Sequence, residues 1–249
     1  DTIENTSPDN PWNPKLEIRD ENYIEIEVTQ QMSLTSEIGF DDEMKDKEIE
    51  KQVFEIKSYE VTNKEFVKFL NDGNNAKASE YINLEMNKEV TYNSNDSIFE
   101  TNKPKLPVSY VSYDGADKYC KWKSDSVYKY MLPTEAQWEY AARNKSNSYT
   151  SDVFSDFVID AKNRAYYLEN SQGSKKSKEK RTVLIDNTYA IYDISGNLWE
   201  WTRNKEKGAY ITKGGAYDSD IMQVLPVSRQ LQIPEGSYNT GFRPIRIKK

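Results

Sequence analysis

A chain of 249 residues with no histidine, one cysteine and a formal net charge of -7 excludes several chemistries at once. It can build no Ser-His or Cys-His dyad, no histidine-ligated copper, iron or zinc centre, no internal disulfide and no cysteine-rich zinc site. Basic residues are scattered except in Lys175 to Arg181, a run with the character of a solvated loop, so nucleic acid, which needs a basic face for counterion release, is not an expected partner.

The hydrophobic share of 36% beside 30% charged residues allows a core under much solvated surface, and length alone leaves open two small domains or one large loop-rich one. The 18 tyrosines and 5 tryptophans suit a fold in which rings pack beneath irregular backbone. No apolar run approaches the roughly 18 residues that a membrane-spanning helix needs.

Residues 1 to 18, DTIENTSPDNPWNPKLEI, combine prolines with short polar residues and are expected to form a flexible tether, leaving 19 to 249 as a single domain. The start at Asp1 rather than Met points to a cleaved precursor or a trimmed chain, which leaves room for a lipid anchor upstream. Tyr23 to Thr35 has β-branched, alternating character and is predicted as one strand, followed by a charged loop over 41 to 50 and a second strand over 53 to 56. A helix is predicted from Thr62, where Thr62 and Glu65 form a capping box, to Gly73. A polar segment over 74 to 105 carries a predicted hairpin at 88 to 100.

The next helix is predicted over 112 to 123, with Ala116, Tyr119 and Cys120 on one face, which makes Cys120 a small buried hydrophobe. Another covers 132 to 143, capped by Thr134 and Gln137. About fifty residues of weak periodicity follow, including the low-complexity stretch 170 to 180, taken with its flanks to 182 as an insertion. The chain closes with TYAIYDISGNLWEWT, a strand-like AYITKGGAY, a polar loop over 218 to 239 and GFRPIRIKK.

Six blocks in order, EVTNKEF (60 to 66), PVSYVSYDGADKYCKW (107 to 122), LPTEAQWEYAAR (132 to 143), IYDISGNLWEWT (191 to 202), KGGAY (213 to 217) and GFRPI (241 to 245), resemble the formylglycine-generating enzyme, or sulfatase-modifying factor, family. The resemblance implies an α+β fold: a variant of the C-type lectin fold with small twisted antiparallel sheets, few helices and much irregular backbone. It also implies bound calcium, held by the carboxylates of Asp193 and Glu200 and the carbonyls of Gly196 and Leu198. That assignment is consistent with calcium's demand for roughly six to eight hard oxygens from a flexible loop. The residues themselves leave another reading, with Asp193 capping a turn and Glu200 on a solvated strand edge. A second calcium site of the family would begin near Asn163. Trp199 and Trp201, two apart in an extended segment, are expected to face opposite sides, one in the core and one in a surface cleft.

Catalytic members hold copper with a cysteine pair after the GGS-aromatic turn. That turn corresponds here to Gly214 to Tyr217, and the cysteine positions fall at Ser219 and near Val224. Two thiolates select copper(I), and hydroxyl and isopropyl groups do not replace them, so the family's oxidase reaction is expected to be absent. An ergothioneine-pathway branch with a histidine iron site is excluded by composition. The resemblance extends to bacterial envelope lipoproteins and to variable ligand-binding proteins. The expectation is therefore a non-catalytic, calcium-stabilised binding or scaffold domain, extracytoplasmic, in the periplasm or at the cell surface. It would present the 217 to 232 loop to a protein, glycan or small-molecule ligand through Trp201, Tyr217, Asp218, Ser219, Asp220, Arg229 and Gln230. The alternative is a modifying enzyme of the same superfamily with a cysteine-independent site, for which Glu200 or Asp220 is the candidate base. Val224, Leu225 and Val227 are either core or an apolar contact patch, and Arg229 and Arg243 either contact ligand or pair with internal carboxylates.

Overall fold

The computed structural model describes residues 23–40, 45–144, 148–159, 165–171 and 191–249. In chain order the elements begin with β1 (Tyr23–Val28), β2 (Met32–Ser36), β3 (Lys47–Ile49), β4 (Gln52–Lys57), α1 (Asn63–Phe69), α2 (Ala78–Tyr81), β5 (Val90–Asn93) and β6 (Ile98–Thr101). They continue with α3 (Tyr113–Lys123), β7 (Tyr128–Met131), α4 (Glu135–Ala142), β8 (Ser148–Tyr149) and α5 (Ser151–Ile159). The chain ends with β9 (Trp199–Glu206), β10 (Ala209–Lys213), β11 (Arg229–Gln232), β12 (Thr240–Gly241) and β13 (Ile245–Lys248). The tether over 1 to 18, the region of Asn163 and nearly all of the 170 to 182 insertion lie outside the described residues.

Two four-stranded sheets carry the architecture, ordered β1-β4-β13-β7 and β11-β10-β9-β12. The first is antiparallel throughout. In the second only β12 runs parallel to β9, pairing Thr240 with Trp199. A three-stranded sheet β3-β2-β8 and the β5-β6 hairpin complete the set. These small sheets with short helices make the α+β class of the expectation. The predicted strand over 23 to 35 is in fact two: β1 pairs with β4 and β2 pairs with β3 and β8. Ile24, Ile26 and Val28 keep the same phase as Met32 and Leu34 on either side of the polar, exposed Thr29 to Gln31, but the register breaks there, because each half finds a different partner. Strand β7 and helix α5 were not expected from the sequence, and β11 lies inside the predicted 218 to 239 loop.

Helix starts follow the local chemistry. Thr62 accepts from the Glu65 backbone N–H while Glu65 accepts from Thr62, and Thr134 and Gln137 do the same for α4. Each reciprocal pair satisfies two N–H groups that would otherwise lack partners at a helix N-terminus. Ser112 caps α3 through the Gly115 N–H.

Two hydrophobic clusters fill the interior. One joins β1, β2 and β4 to α4 around Ile26, Phe54, Ile56 and Trp138 and takes in Val224, Leu225 and Val227. The other is aromatic and lies under α1 and α3, with Phe66, Phe69, Tyr119, Trp201 and Phe242. Phe66, Tyr119 and Phe242 meet with centroids 5.3 to 6.2 Å apart in stacked and edge-on contacts, arrangements that add to area burial. Cys120 is buried among them, and desolvation pushes its thiol well above the usual range, which makes it an inert hydrophobe. Trp199 and Trp201 are both buried, so the expected division into a core ring and a cleft ring does not hold. Trp201 packs against Tyr113 and Tyr210 and donates to the Val111 carbonyl at 3.0 Å, because α3 and the loop before it close over that side of β9.

Candidate functional site

The segment Asp193 to Trp201 enters β9 through a bend in which Asp193, Gly196 and Asn197 all adopt left-handed backbone, with φ of 51°, 83° and 65°. At Gly196 a Cβ would lie 2.2 Å from the Tyr166 carbonyl oxygen, so only glycine fits both the conformation and the approach. The bend is stitched by Gly196 N–H to Gly214 O at 2.7 Å, Asn197 N–H to Tyr166 O at 2.9 Å and Tyr217 N–H to Asn197 O at 3.1 Å. It therefore ties the KGGAY turn to the first strand-helix connection, where the Asn197 amide donates to Glu60 at 2.9 Å.

Glu200, buried at the start of β9, accepts from Arg243 Nε and Nη2, each at 2.7 Å, and from Trp138 Nε1 at 2.7 Å. Arg243 is fully buried and also donates to the carbonyls of Lys57 at 3.2 Å, Tyr192 at 2.9 Å and Asp193 at 3.3 Å. One guanidinium thus joins β4, β9, the 191 to 193 segment and the GFR block. Burial alone would lower its pKa, but Glu200, Glu60 and Asp193 outweigh that and hold it above the usual value. For Glu60 burial dominates, Asp193 adds to it and Arg243 opposes, raising its pKa to about 8.

This arrangement bears on calcium. Glu200 has three donors on a carboxylate that offers about four lone-pair positions, so it is shared with Arg243 rather than held open. Among the described residues no three acidic side chains converge as a metal site, and carbonyl oxygens would have to complete any coordination shell. With Glu60 raised to about 8 and so largely the neutral acid near neutrality, Asp193 and Glu200 face one guanidinium in a buried region. The hard oxygens there are of the kind a divalent cation takes, and Asp193 with the carbonyls of Gly196 and Leu198 would be the groups to hold one.

The place of the family's cysteine pair is filled differently. Gly215, at φ 71°, sits where a Cβ would come within 2.7 Å of the Gln223 carbonyl and the Val224 side chain. This close approach folds 216 to 224 back onto itself. Ser219 is buried in the turn, its hydroxyl accepting from the Ala216 N–H at 2.9 Å. Val224 lies wholly in the first hydrophobic cluster. With Leu225 and Val227 it is core, not a contact patch.

The remaining predicted ligand residues do not form one face. Arg229 bridges Glu206 at 2.9 Å and Glu135 at 3.1 Å, within a buried ionic layer that includes Lys213, whose Nζ donates to Glu139 at 2.8 Å. Asp220 is exposed and caps a turn through the N–H groups of Met222 and Gln223. Gln230 is half-buried in β11, and Trp201 is in the core. Tyr217 and Asp218 are brought together instead with Tyr110, Tyr238 and Asn239. The Tyr238 hydroxyl donates to Asp218 at 2.7 Å, the Asn239 amide donates to it at 3.0 Å, and the rings of Tyr217 and Tyr238 are 6.5 Å apart. Tyr110 holds a left-handed φ of 59°. Sequence reasoning missed Tyr110, Tyr238, Asn239 and Glu60. Only Tyr110 and Glu60 lie in recognised blocks, and neither has a spacing that marks it.

The fold and this site define a class: a lectin-type α+β scaffold with a bent, ionically clamped WEW segment beside a glycine turn. The chain belongs to the family described as sulfatase-modifying factor enzyme 1-like domain, whose model matches residues 24–248. Relatives include the cattle protein named inactive C-alpha-formylglycine-generating enzyme 2, 29% identical over 147 residues, which are 57% of this chain and 44% of that protein. The formylglycine-generating enzyme of Thermomonospora curvata is 26% identical over 175 residues, 57% of this chain and 56% of the relative. The chain thus spans about half the length of these curated relatives. Among solved structures, variable protein 1 of Treponema denticola superposes with a TM-score of 0.61 at 19% identity, covering 90% of this chain and 94% of that one. PvdO from Pseudomonas aeruginosa superposes with 0.64 at 16% identity, covering 90% and 93%. The fold is the formylglycine-generating-enzyme-like variant of the C-type lectin fold.

Proposed function

We propose that this domain is non-catalytic and serves as a calcium-stabilised binding or scaffold module of a bacterial envelope or secreted protein, presenting the 217 to 232 region to a partner. The observation that carries the reading is the fate of the two cysteine positions. Ser219 is spent inside a turn and Val224 inside the core, and no cysteine follows Cys120, so the thiolate pair with which catalytic members hold copper(I) is missing. Relatives named as inactive forms within the family are in keeping with it. Among the described residues no helix is long and apolar enough to cross a membrane; extracytoplasmic placement rests on the family resemblance and is checked by fractionating producing cells.

The test has two arms. With copper(I) and a cysteine-containing sulfatase peptide, hydrazide trapping is expected to find no aldehyde; product formation overturns the non-catalytic reading. A photo-crosslinking residue placed at Asp218, Asp220 or Leu231 is expected to capture a partner on producing cells, and the same residue at Val127, on β7's side of the molecule, is not. Capture from neither loop nor control positions removes the binding role.

A further inference from the structure

We infer that strand β11 is the contact edge of a homodimer, in which Arg229 to Ile233 pair antiparallel with the same residues of a second copy of this chain. This goes beyond the role proposed above. β11 is the last strand of its sheet and pairs only with β10, Arg229 to Gln232 lying opposite Lys213 to Tyr210. In an antiparallel ladder every second residue turns its N–H and C=O away from its neighbour, and among the described residues no group bonds that outer side of β11 between Gln230 and Gln232. Other edges are closed or charged. The Asn71 side-chain amide donates to the Phe99 carbonyl at 2.9 Å and accepts from the Phe99 N–H at 2.7 Å, which seals β6. Asp125 and Ser124 accept from the N–H groups of Tyr128 and Tyr130 at 2.7 and 2.9 Å, which seals β7, and β1 carries the exposed Glu25 and Glu27. Such devices keep one sheet edge from adding to another. The stretch from Gln230 to Ile233 has neither a sealing side chain nor a charge.

The side chains fit a second copy. Leu231 and Ile233 are 41% and 62% exposed, Gln230 and Gln232 are neutral amides, and Arg229 is already paired with Glu135 and Glu206. The chain carries a net charge of -7, yet no acidic residue lies between Arg229 and Ile233, so this edge meets itself without opposing like charges. A two-fold axis at Leu231 sets Leu231 against its own counterpart, Gln230 against Gln232 and Arg229 against Ile233, with the Leu231 and glutamine pairs on opposite faces. Moving the axis to Gln232 would bring Pro234, which has no N–H, into the ladder opposite Gln230, so the register is centred on Leu231. The two copies of the four-stranded sheet then continue as one sheet through β11. A ladder this short buries less than the roughly 1,200 Å² of a stable interface, so the dimer is weak and concentration-dependent.

Sedimentation equilibrium of the full chain across a dilution series is expected to show a monomer-dimer equilibrium. Leu231→Lys, which opposes two ammonium groups at the axis, should raise the dissociation constant at least tenfold with an unchanged thermal midpoint in dilute solution. Register is read by placing single thiols and oxidising with diamide; Cys120 is buried, so the introduced thiol is the accessible one. Leu231→Cys should give a disulfide-linked dimer, because directly opposite Cβ atoms stand about 4.5–5.5 Å apart, at the edge of disulfide reach. Ile233→Cys, set opposite Arg229, and Val127→Cys should not. A monomer at every soluble concentration, a dimer untouched by Leu231→Lys, or equal cross-linking from Leu231, Ile233 and Val127 positions would overturn the inference. So would a photo-crosslink at Leu231 that yields a foreign polypeptide and never a second copy, which assigns the edge to a foreign strand. If the chain stays monomeric while crosslinks from Asp218 or Asp220 persist, self-pairing alone falls; if those crosslinks vanish while the dimer remains, only the binding role falls.

Discussion

Replacing Arg243 by methionine leaves Asp193 and Glu200, with Glu60 beside them, buried without their guanidinium, whereas replacing Glu200 by glutamine leaves Arg243 still facing Asp193. Both variants break a buried pair, which costs about 3–5 kcal/mol because the surviving charge is left in low dielectric. The structure orders them within that range. Glutamine at 200 retains an oxygen for Trp138 Nε1, and Arg243 keeps its bonds to the carbonyls of Lys57 and Tyr192, so the loss should sit near the lower end, about 3 kcal/mol. Methionine at 243 abandons those carbonyls and, among the described residues, the only guanidinium facing Glu200, and should cost about 5 kcal/mol or more. For a chain of this size each kcal/mol moves the thermal midpoint by about 2–4 °C, which separates the two variants clearly. Urea unfolding at neutral pH, followed by circular dichroism, measures both. A loss below about 1 kcal/mol in either variant, or a larger loss for Glu200→Gln than for Arg243→Met, would refute the view that this one arginine balances Asp193 and Glu200.

Chelation of calcium should lower the thermal midpoint, since an ion bound only by the folded state adds about 2.7 kcal/mol at a hundredfold excess over its dissociation constant; an unchanged midpoint together with no calcium by elemental analysis removes that part of the proposal. Asp193→Ala should likewise destabilise more than Asp220→Ala, whose exposed side chain only caps a turn. Gly196→Ala forces a Cβ to 2.2 Å from the Tyr166 carbonyl at a φ of 83°, and a drop in midpoint much larger than for Gly208→Ala, where nothing lies within 4 Å, is expected. Burial pushes Glu139 upward, but Lys213, Arg143 and Lys47 outweigh it and hold its pKa below the ordinary value. Its stabilising contribution is therefore complete above the unfolded carboxylate pKa, about 4.3, and is lost as pH falls through the lower folded value. Glu139→Gln should be destabilised near neutrality and should lose less further stability than the parent below that range, as measured by unfolding at a series of pH values.

Much of the scaffold was legible because its signals are local. The capping boxes at Thr62 and Thr134, the hairpin now seen as β5 and β6, the buried face of α3 and the glycine turn at 214 and 215 each depend on residues a few positions apart, and such spacing survives in one dimension. Six ordered blocks sufficed for the family because each is a local pattern of this kind. Strand partnership was not legible: residues 23 to 35 keep one phase of alternation on either side of the polar Thr29 to Gln31, yet they divide between two sheets, since alternation records which face is buried and not which strand lies alongside. The candidate site was legible only where it coincided with a block. Asp193, Gly196 and Glu200 were visible in DISGNLWEW, but that Glu200 is shared with Arg243, 43 residues away, and that Trp201 is sealed in the core, depends on how α3, β9 and the GFR segment pack. The same holds at the surface, where Tyr238 meets Asp218 across 20 residues of chain. Composition and local spacing determined what this protein can fold into and which chemistry it lacks; the pairing of charges and the grouping of rings were decided in the tertiary structure, because Coulomb and ring contacts act through space and leave no period in the sequence.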